Sequence, residues 1–315
     1  MKEKITPYLQ KLIDGGNAAI AFQFKKRKQK KLKPKFKNPD PLGEDEKYSP
    51  VKGLVHKFRN RVLWKLTYDC AAYCRFCTRI RQIGSPEGDL SYEEIDAGAE
   101  YIRTHPEIYE VILSGGDGIY RVHYSMYVLD TLMKIDSVKV IRIGTRMPLH
   151  SPDSFKTKLF KELLKKMRYI AKRKQLLVLI HINHPEELTK KVMNVIRTIK
   201  KTGASILTQT VLVKNLNDNV DILEKLFTTL YQNGIRPYYL YRCDYEEDLR
   251  PYICSYAEEK KIATELRRRL PGPAYPMYVV DLPEGRGKIP PPLNFWKNTG
   301  SSRACFDFDG KKIKI

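Results

Sequence analysis

From Arg61 onward, short runs of β-branched and aromatic residues alternate with longer stretches whose apolar positions recur every three or four residues. The runs predict strands at Arg61–Thr67, Glu110–Leu113, Val138–Ile143, Leu176–Ile182, Ser205–Val213 and Ile235–Tyr241. Between them, Ser91 and Glu94 form a capping box ahead of Ile95, Ala99 and Ile102, and Val220, Leu223, Phe227 and Leu230 share one face until Gly234 stops the helix. Further helices fit Tyr124–Ile135, Ser154–Lys172, Glu186–Lys201 and Tyr256–Leu270. Six strand-then-helix units argue for a parallel α/β sheet, two units short of a closed eight-stranded barrel. An open partial barrel and a doubly wound sheet both satisfy that pattern.

The flanks read differently. Residues 1–60 form an irregular extension, with an amphipathic stretch at Tyr8–Ile13, a break at Gly15 and Gly16, and a basic run from Lys25 to Lys37. Past Pro271 the chain is rich in Pro and Gly, so residues 271–315 are expected to cover the core of residues 61–270 and not to form a second domain.

The chain has 315 residues, 42% of them apolar, which is ample for an ordinary core. No stretch approaches 18 consecutive apolar residues, and the first residues lack a secretory h-region, so a cytoplasmic protein that neither spans nor enters a membrane is expected. The net charge of +22 raises an anionic macromolecule as a partner. Nine of the thirteen residues in the basic run are Lys or Arg, so the remaining +13 is spread over the rest of the chain. Six cysteines are too few for a disulfide scaffold, and Cys70, Cys74 and Cys77 crowd into eight positions, which reads as metal binding.

These three cysteines follow the first predicted strand, at the end where α/β folds place their chemistry. A C-x3-C-x2-C loop can hold three irons of a [4Fe–4S] cluster and leave the fourth iron open to a ligand. Structural zinc and three unliganded thiols are the alternatives. Zinc favours two close pairs and a fourth ligand, whereas Cys243, Cys254 and Cys305 are distant in sequence.

The loop resembles the signature of the radical S-adenosylmethionine (SAM) enzymes, and within them the lysine 2,3-aminomutase family. The stretches that carry this resemblance are DPLGEDEKYSPVKGLVHKFRNRVLWKLT (40–67), YCRFCTR (73–79), LSGGD (113–117) and RIGTRMP (142–148), then NHPEELT (183–189), TQTVLVKNLND (208–218), RPYYLYRCD (236–244) and VVDLPEGRGK (279–288). The resemblance implies a partial (β/α)6 TIM-type barrel, a [4Fe–4S] cluster, SAM and pyridoxal 5′-phosphate (PLP). A 5′-deoxyadenosyl radical takes a hydrogen from the β-carbon of an amino acid held as an aldimine on PLP, and the amino group moves from C2 to C3. An external electron donor is implied as well.

By the same resemblance Cys70, Cys74 and Cys77 are the cluster ligands and Lys288 anchors PLP, with Glu284 and Arg286 standing where close relatives have glycine. Lys57 and Arg61 match basic positions near the PLP phosphate, a fitting use of cations and forked donors. Ser114, Gly115, Gly116 and Asp117 match the segment that meets the SAM amino group, while Arg146, His184 and Gln209 lie in segments that face SAM or the radical intermediate. Arg79 matches the residue that holds the substrate carboxylate. Asp244 and Asp281 match two carboxylates that grip the ε-ammonium of lysine.

L-lysine is therefore the expected substrate and β-lysine the product, with arginine or a lysine of elongation factor P as alternatives. The last suits the basic run, because a +22 chain does not attract a free cation from a distance. A nucleic-acid-binding protein with a structural cluster is a third reading, from another class; it has no use for Lys288, Asp244 and Asp281. The longer lysine enzymes carry a C-terminal cysteine group for zinc at a subunit interface. Here the tail has Cys305 alone, so zinc is not expected and the oligomeric state does not carry over from those enzymes.

Overall fold

The computed structural model describes residues 2–27, 40, 42–45, 47–299, 302–306 and 311–314. Residues 28–37 of the basic run lie outside them.

Two short helices open the chain, each started by a side chain that satisfies an orphan backbone donor. Thr6 accepts from Leu9 N at the head of α1 (Pro7–Asp14), and Asn17 accepts from Ile20 N at the head of α2 (Ala18–Phe24). A hairpin of β1 (Leu54–Phe58) and β2 (Arg61–Lys65) follows. Then β3 (Glu110–Ser114), β4 (Val140–Thr145), β5 (Gln175–His181), β6 (Ser205–Leu212), β7 (Arg236–Arg242) and β8 (Met277–Leu282) join the sheet in chain order, each parallel to its predecessor. The last strand, β9 (Gly287–Ile289), returns antiparallel along β8.

A strand order that never reverses has no topological switch point, which rules out the doubly wound alternative. The sheet is a partial barrel. Right-handed crossovers put the intervening helices on its outer face: α3 (Tyr92–Thr104), α4 (Val122–Met133), the single turn α5 (Met147–His150), α6 (Lys158–Ala171), α7 (Lys190–Lys200) and α8 (Val220–Gln232), with α9 (Tyr256–Arg269) after β7. The apolar stripe of α6 (Phe160, Leu163, Met167, Ile170) and that of α7 (Val192, Ile196, Ile199) join Ile141, Ile143, Val178 and Ile206 of the strands in one core. Among the described residues no helix is long and apolar enough to cross a membrane.

The six expected strands start and end within two residues of their predicted bounds. Two helices are shorter at the start. Ser154–Lys172 begins as a 3-10 turn and restarts where the Thr157 side chain caps Phe160 N, and Glu186–Lys201 restarts at Thr189, which caps Val192 N. The larger difference lies after Pro271. That segment supplies β8, a seventh parallel strand, and the hairpin strand that carries Lys288, so it extends the barrel as well as following it. A small sheet of β10 (Trp296–Thr299), β11 (Ser302–Phe306) and β12 (Lys312–Lys314) ends the chain.

Candidate active site

A cavity of about 570 Å³ runs from the cysteine loop into the barrel, and every site residue expected from sequence lines it except His184. The loop is pinned from both sides. Asp69 Oδ1 accepts from Cys70 N at 2.9 Å, from Tyr73 Oη at 2.7 Å and from Lys4 Nζ at 2.6 Å. Burial opposes its charge, but these donors outweigh it and hold the carboxyl below the usual range. The N-terminal extension packs here too: Gln23 O accepts from Arg75 N at 2.8 Å, and Leu9, Ile20 and Phe24 close over Ala72.

Cys70, Cys74 and Cys77 are free thiols that face the cavity. Burial raises all three, Cys77 to about 12, and at Cys70 and Cys77 neighbouring cysteines add to the effect. Thiols so placed ionise when a bound cation stabilises the thiolate, which suits a metal-ligand set. Among the described residues no three His, Cys, Asp or Glu groups converge as they would on one ion. Ligands at separate corners of a cluster need not converge.

The glycines of Ser114-Gly115-Gly116-Asp117 are required by protein backbone. A Cβ on Gly115, whose φ is +113°, would lie 2.3 Å from Thr67 O, and one on Gly116 would lie 2.0 Å from Asp69 O. Their absence of side chains lets the loop after β3 press against the cysteine loop. Asp117 is fully engaged by protein donors: Thr145 Oγ1 at 2.8 Å, Arg146 N at 2.6 Å and Ile119 N at 3.1 Å. Its carboxylate ties the ends of β3 and β4 together.

Arg146 is likewise committed. Its Nη1 donates to the half-buried Cys74 Sγ at 2.8 Å and its Nη2 to Gln23 Oε1 at 3.0 Å and to Glu187, both of the latter buried. Arg146 nevertheless lines the cavity, beside one of the three cysteines expected to hold the cluster. His184 is outside the cavity, in a groove between α2 and the loop after β6, where its Nδ1 accepts from Glu186 N at 3.2 Å. His181, the last residue of β5, takes the inward position, level with Gln209 on β6. Burial first, then Arg146, depresses the His181 ring to about 3, so it is a neutral imidazole, within 2.9 Å of Asn183 Oδ1.

On the other side of the cavity Arg79 donates from Nε (3.2 Å) and Nη2 (2.8 Å) to Glu44 Oε2 and from Nη1 to Gly115 O (3.3 Å). Asp244 accepts from Thr78 Oγ1 at 2.8 Å; burial, reinforced by the charge of Asp281, raises its carboxyl to about 6. Asp281 Oδ2 accepts from Lys288 Nζ at 2.5 Å, while Oδ1 is buried without a partner among the described residues. Lys57 is depressed by burial and lies close enough to Asp281 and Lys288 to feel both charges. Arg61 lines the same wall, its guanidinium 4.0 Å above the Phe58 ring.

The backbone of the Lys288 loop keeps its left-handed positions on glycine. The positive φ angles fall on Gly285 (+73°) and Gly287 (+100°), while Arg286 has an ordinary φ of −73°.

Residues 64–226 match the model of the radical SAM superfamily. The chain is 35% identical to the L-lysine 2,3-aminomutase of Methanococcus maripaludis over 303 residues, 95% of this chain and 68% of that one. It is 35% identical to that of Bacillus subtilis over 288 residues (90% and 59%) and 33% identical to that of Clostridium subterminale over 298 (94% and 70%). The chain belongs to the lysine 2,3-aminomutase family of the radical SAM superfamily. It spans 59–70% of the length of those relatives.

Membership places this lysine 2,3-aminomutase relative among the isomerases, with a [4Fe–4S] cluster, SAM and PLP as cofactors. Its cavity offers each a fitting donor set: three thiols on one loop, a glycine loop and a neutral histidine that line the same cavity, and a lysine with Lys57 nearby. Polar lining residues that the sequence did not single out include Glu44, Thr78, His150 and His181. Glu44 lies inside the DPLGEDEKYSP stretch; His181 ends β5, one residue short of the predicted strand end, whereas His184 lies beyond it.

Proposed function

We propose that the chain is a lysine 2,3-aminomutase that converts free L-lysine to β-lysine. The observation that carries this reading is that Asp244 and Asp281 line the same cavity as Lys288 and the three cysteines.

When bound, the cluster and SAM supply a radical that removes hydrogen from the substrate, and PLP carries the migrating amino group. Cys70, Cys74 and Cys77 would hold three irons. Ser114, the backbone of Gly115 and Gly116, His181 and Gln209 form the wall for SAM. Lys288 would anchor PLP, with Lys57 and Arg61 as the cations for its phosphate. A phosphate dianion beside Lys57 would offset the desolvation that now depresses its ammonium.

Arg79 is the residue for the substrate carboxylate, and it reaches that role by exchanging its Glu44 contact for the ligand. Asp244 and Asp281 face the distal ammonium. With Lys288 engaged by the cofactor, Asp281 turns its charge to the substrate; its unpartnered Oδ1 already lacks a donor. Two carboxylates at that end favour a cation and disfavour an acidic side chain.

The test is to incubate reduced, reconstituted enzyme with SAM, PLP and single amino acids and to search for β-isomers by mass spectrometry. The β-isomer of lysine is expected. Isomerisation of arginine in preference, or of lysine only within a polypeptide, would replace this substrate with one of the alternatives.

A further inference from the structure

The positive charge of this chain has a location besides the run at 25–37. Parallel strands all start at one end of the barrel, away from the cysteine loop, and α4, α6, α7 and α8 end there. Exposed at this end are Lys139 before β4, Lys172 and Arg173 after α6, Lys200 and Lys201 closing α7, and Arg236 opening β7. Among the described residues none of these six pairs with a carboxylate. Asp136 and Glu107 are the acidic residues on the adjoining loops.

Backbone pairing links the cations into one surface. Gln175 N donates to Lys139 O at 2.9 Å, and Lys200 Nζ reaches Gly234 O at 3.2 Å, two residues from Arg236. Neighbouring strands lie about 4.8 Å apart, so the starts of β4 to β7 spread this charge over roughly 15 Å. Cations at helix C-termini favour the helix dipole, which accounts for some of them. It does not account for the rings among them.

Of the eight exposed large apolar side chains among the described residues, four stand at this end and do not line the cavity: Tyr109, Tyr169, Tyr231 and Met277. Tyr169 is 51% exposed with the Arg173 guanidinium 3.7 Å over its ring, and the backbone oxygen of Tyr109 accepts from Lys139 N at 2.8 Å. A carboxylate-rich protein would use the cations alone. Exposed rings interleaved with unpaired cations fit a ligand that presents phosphates and flat bases together.

We propose that the strand-start end of the barrel binds single-stranded nucleic acid, phosphates against the lysine row and bases against Tyr109, Tyr169 and Tyr231. This surface is separate from the aminomutase cavity mouth and does not rest on that assignment.

Fluorescence anisotropy of mixed-sequence RNA and DNA strands of roughly 20 nucleotides, titrated with the full chain at several salt concentrations, tests it. Replacing Lys172, Arg173, Lys200 and Lys201 together by alanine should weaken binding at least ~10-fold and flatten the salt dependence by about 0.7 in log–log slope per lost phosphate contact. Tyr169→Ala should weaken binding ~5- to 100-fold and leave the slope unchanged. A chain with the basic residues of 25–37 replaced by alanine should retain binding that the four-cation variant loses. Thermal melting verifies that each variant folds. The proposal falls if the parent does not bind, if the four-cation variant binds like the parent, or if neutralising 25–37 alone abolishes binding. It falls equally if Tyr169→Ala has no effect and polyglutamate binds with the same cation dependence, because the surface then takes an acidic protein.

Discussion

Lys288 and Asp281 face each other as register partners across the β8–β9 hairpin, Nζ to Oδ2 at 2.5 Å. One backbone pairing thus sets the distance between the proposed cofactor anchor and one half of the proposed ammonium site. Because side chains alternate across a sheet, a slip of β9 by one residue would turn Lys288 to the other face while Asp281 stayed in place.

Lys288→Ala should remove the visible absorbance of lysine-bound PLP while leaving the iron–sulfur absorbance intact. Spectra of reconstituted protein check this. An unchanged PLP band would move the anchor to another lysine.

Asp244→Ala and Asp281→Ala should each lower kcat/KM for lysine by roughly 10- to 100-fold, the loss expected for one charged hydrogen bond of about 1.5–3 kcal/mol. SAM cleavage without substrate should change little. Equal loss of both activities would mean that these carboxylates support the fold or the cluster and do not recognise lysine.

The Asp244 carboxyl, raised to about 6, gives a pH signature. Thr78, Asp281, Lys288 and Glu44 are the groups that act on it. Above that value the carboxylate is charged and attracts the substrate ammonium; as pH falls through 6 it takes a proton and the attraction weakens. KM for lysine should therefore rise on the acidic side, and Asp244→Asn should lose that limb while binding lysine weakly at every pH.

Glu187 is buried against Arg146 and also accepts from Asn183 N at 2.7 Å and His184 N at 2.9 Å. Glu187→Ala leaves a buried guanidinium without its counter-charge, so denaturant unfolding should show a loss of about 3–5 kcal/mol. A change under 1 kcal/mol would show that water or Cys74 compensates.

Much of this was legible in the chain because the informative groups are local. Three cysteines in one loop, glycines at a strand end and β-branched runs act through neighbours in sequence, and the strand bounds and the cysteine loop follow from them, whereas Lys288 stands out only through the family resemblance. Choices that depend on which way a side chain turns were not legible. His181 and His184 are three residues apart, and only the end of β5 decides that the first faces the barrel. Arg146 is held by Gln23, 123 positions away, and by Glu187, contacts that no local pattern shows. Strand β8 ran into Pro283 and resembled a covering segment, since its pairing with β7 joins residues separated by a helix and two loops.

The central claim is that cluster, cofactor lysine and paired aspartates serve a single reaction on lysine. Lysine deuterated at its β-carbon, supplied to the reduced and reconstituted enzyme, tests it most directly, with 5′-deoxyadenosine and β-lysine analysed by mass spectrometry. Deuterium in both products is the expected result. Deuterium-free 5′-deoxyadenosine, with no β-lysine formed, would contradict the account.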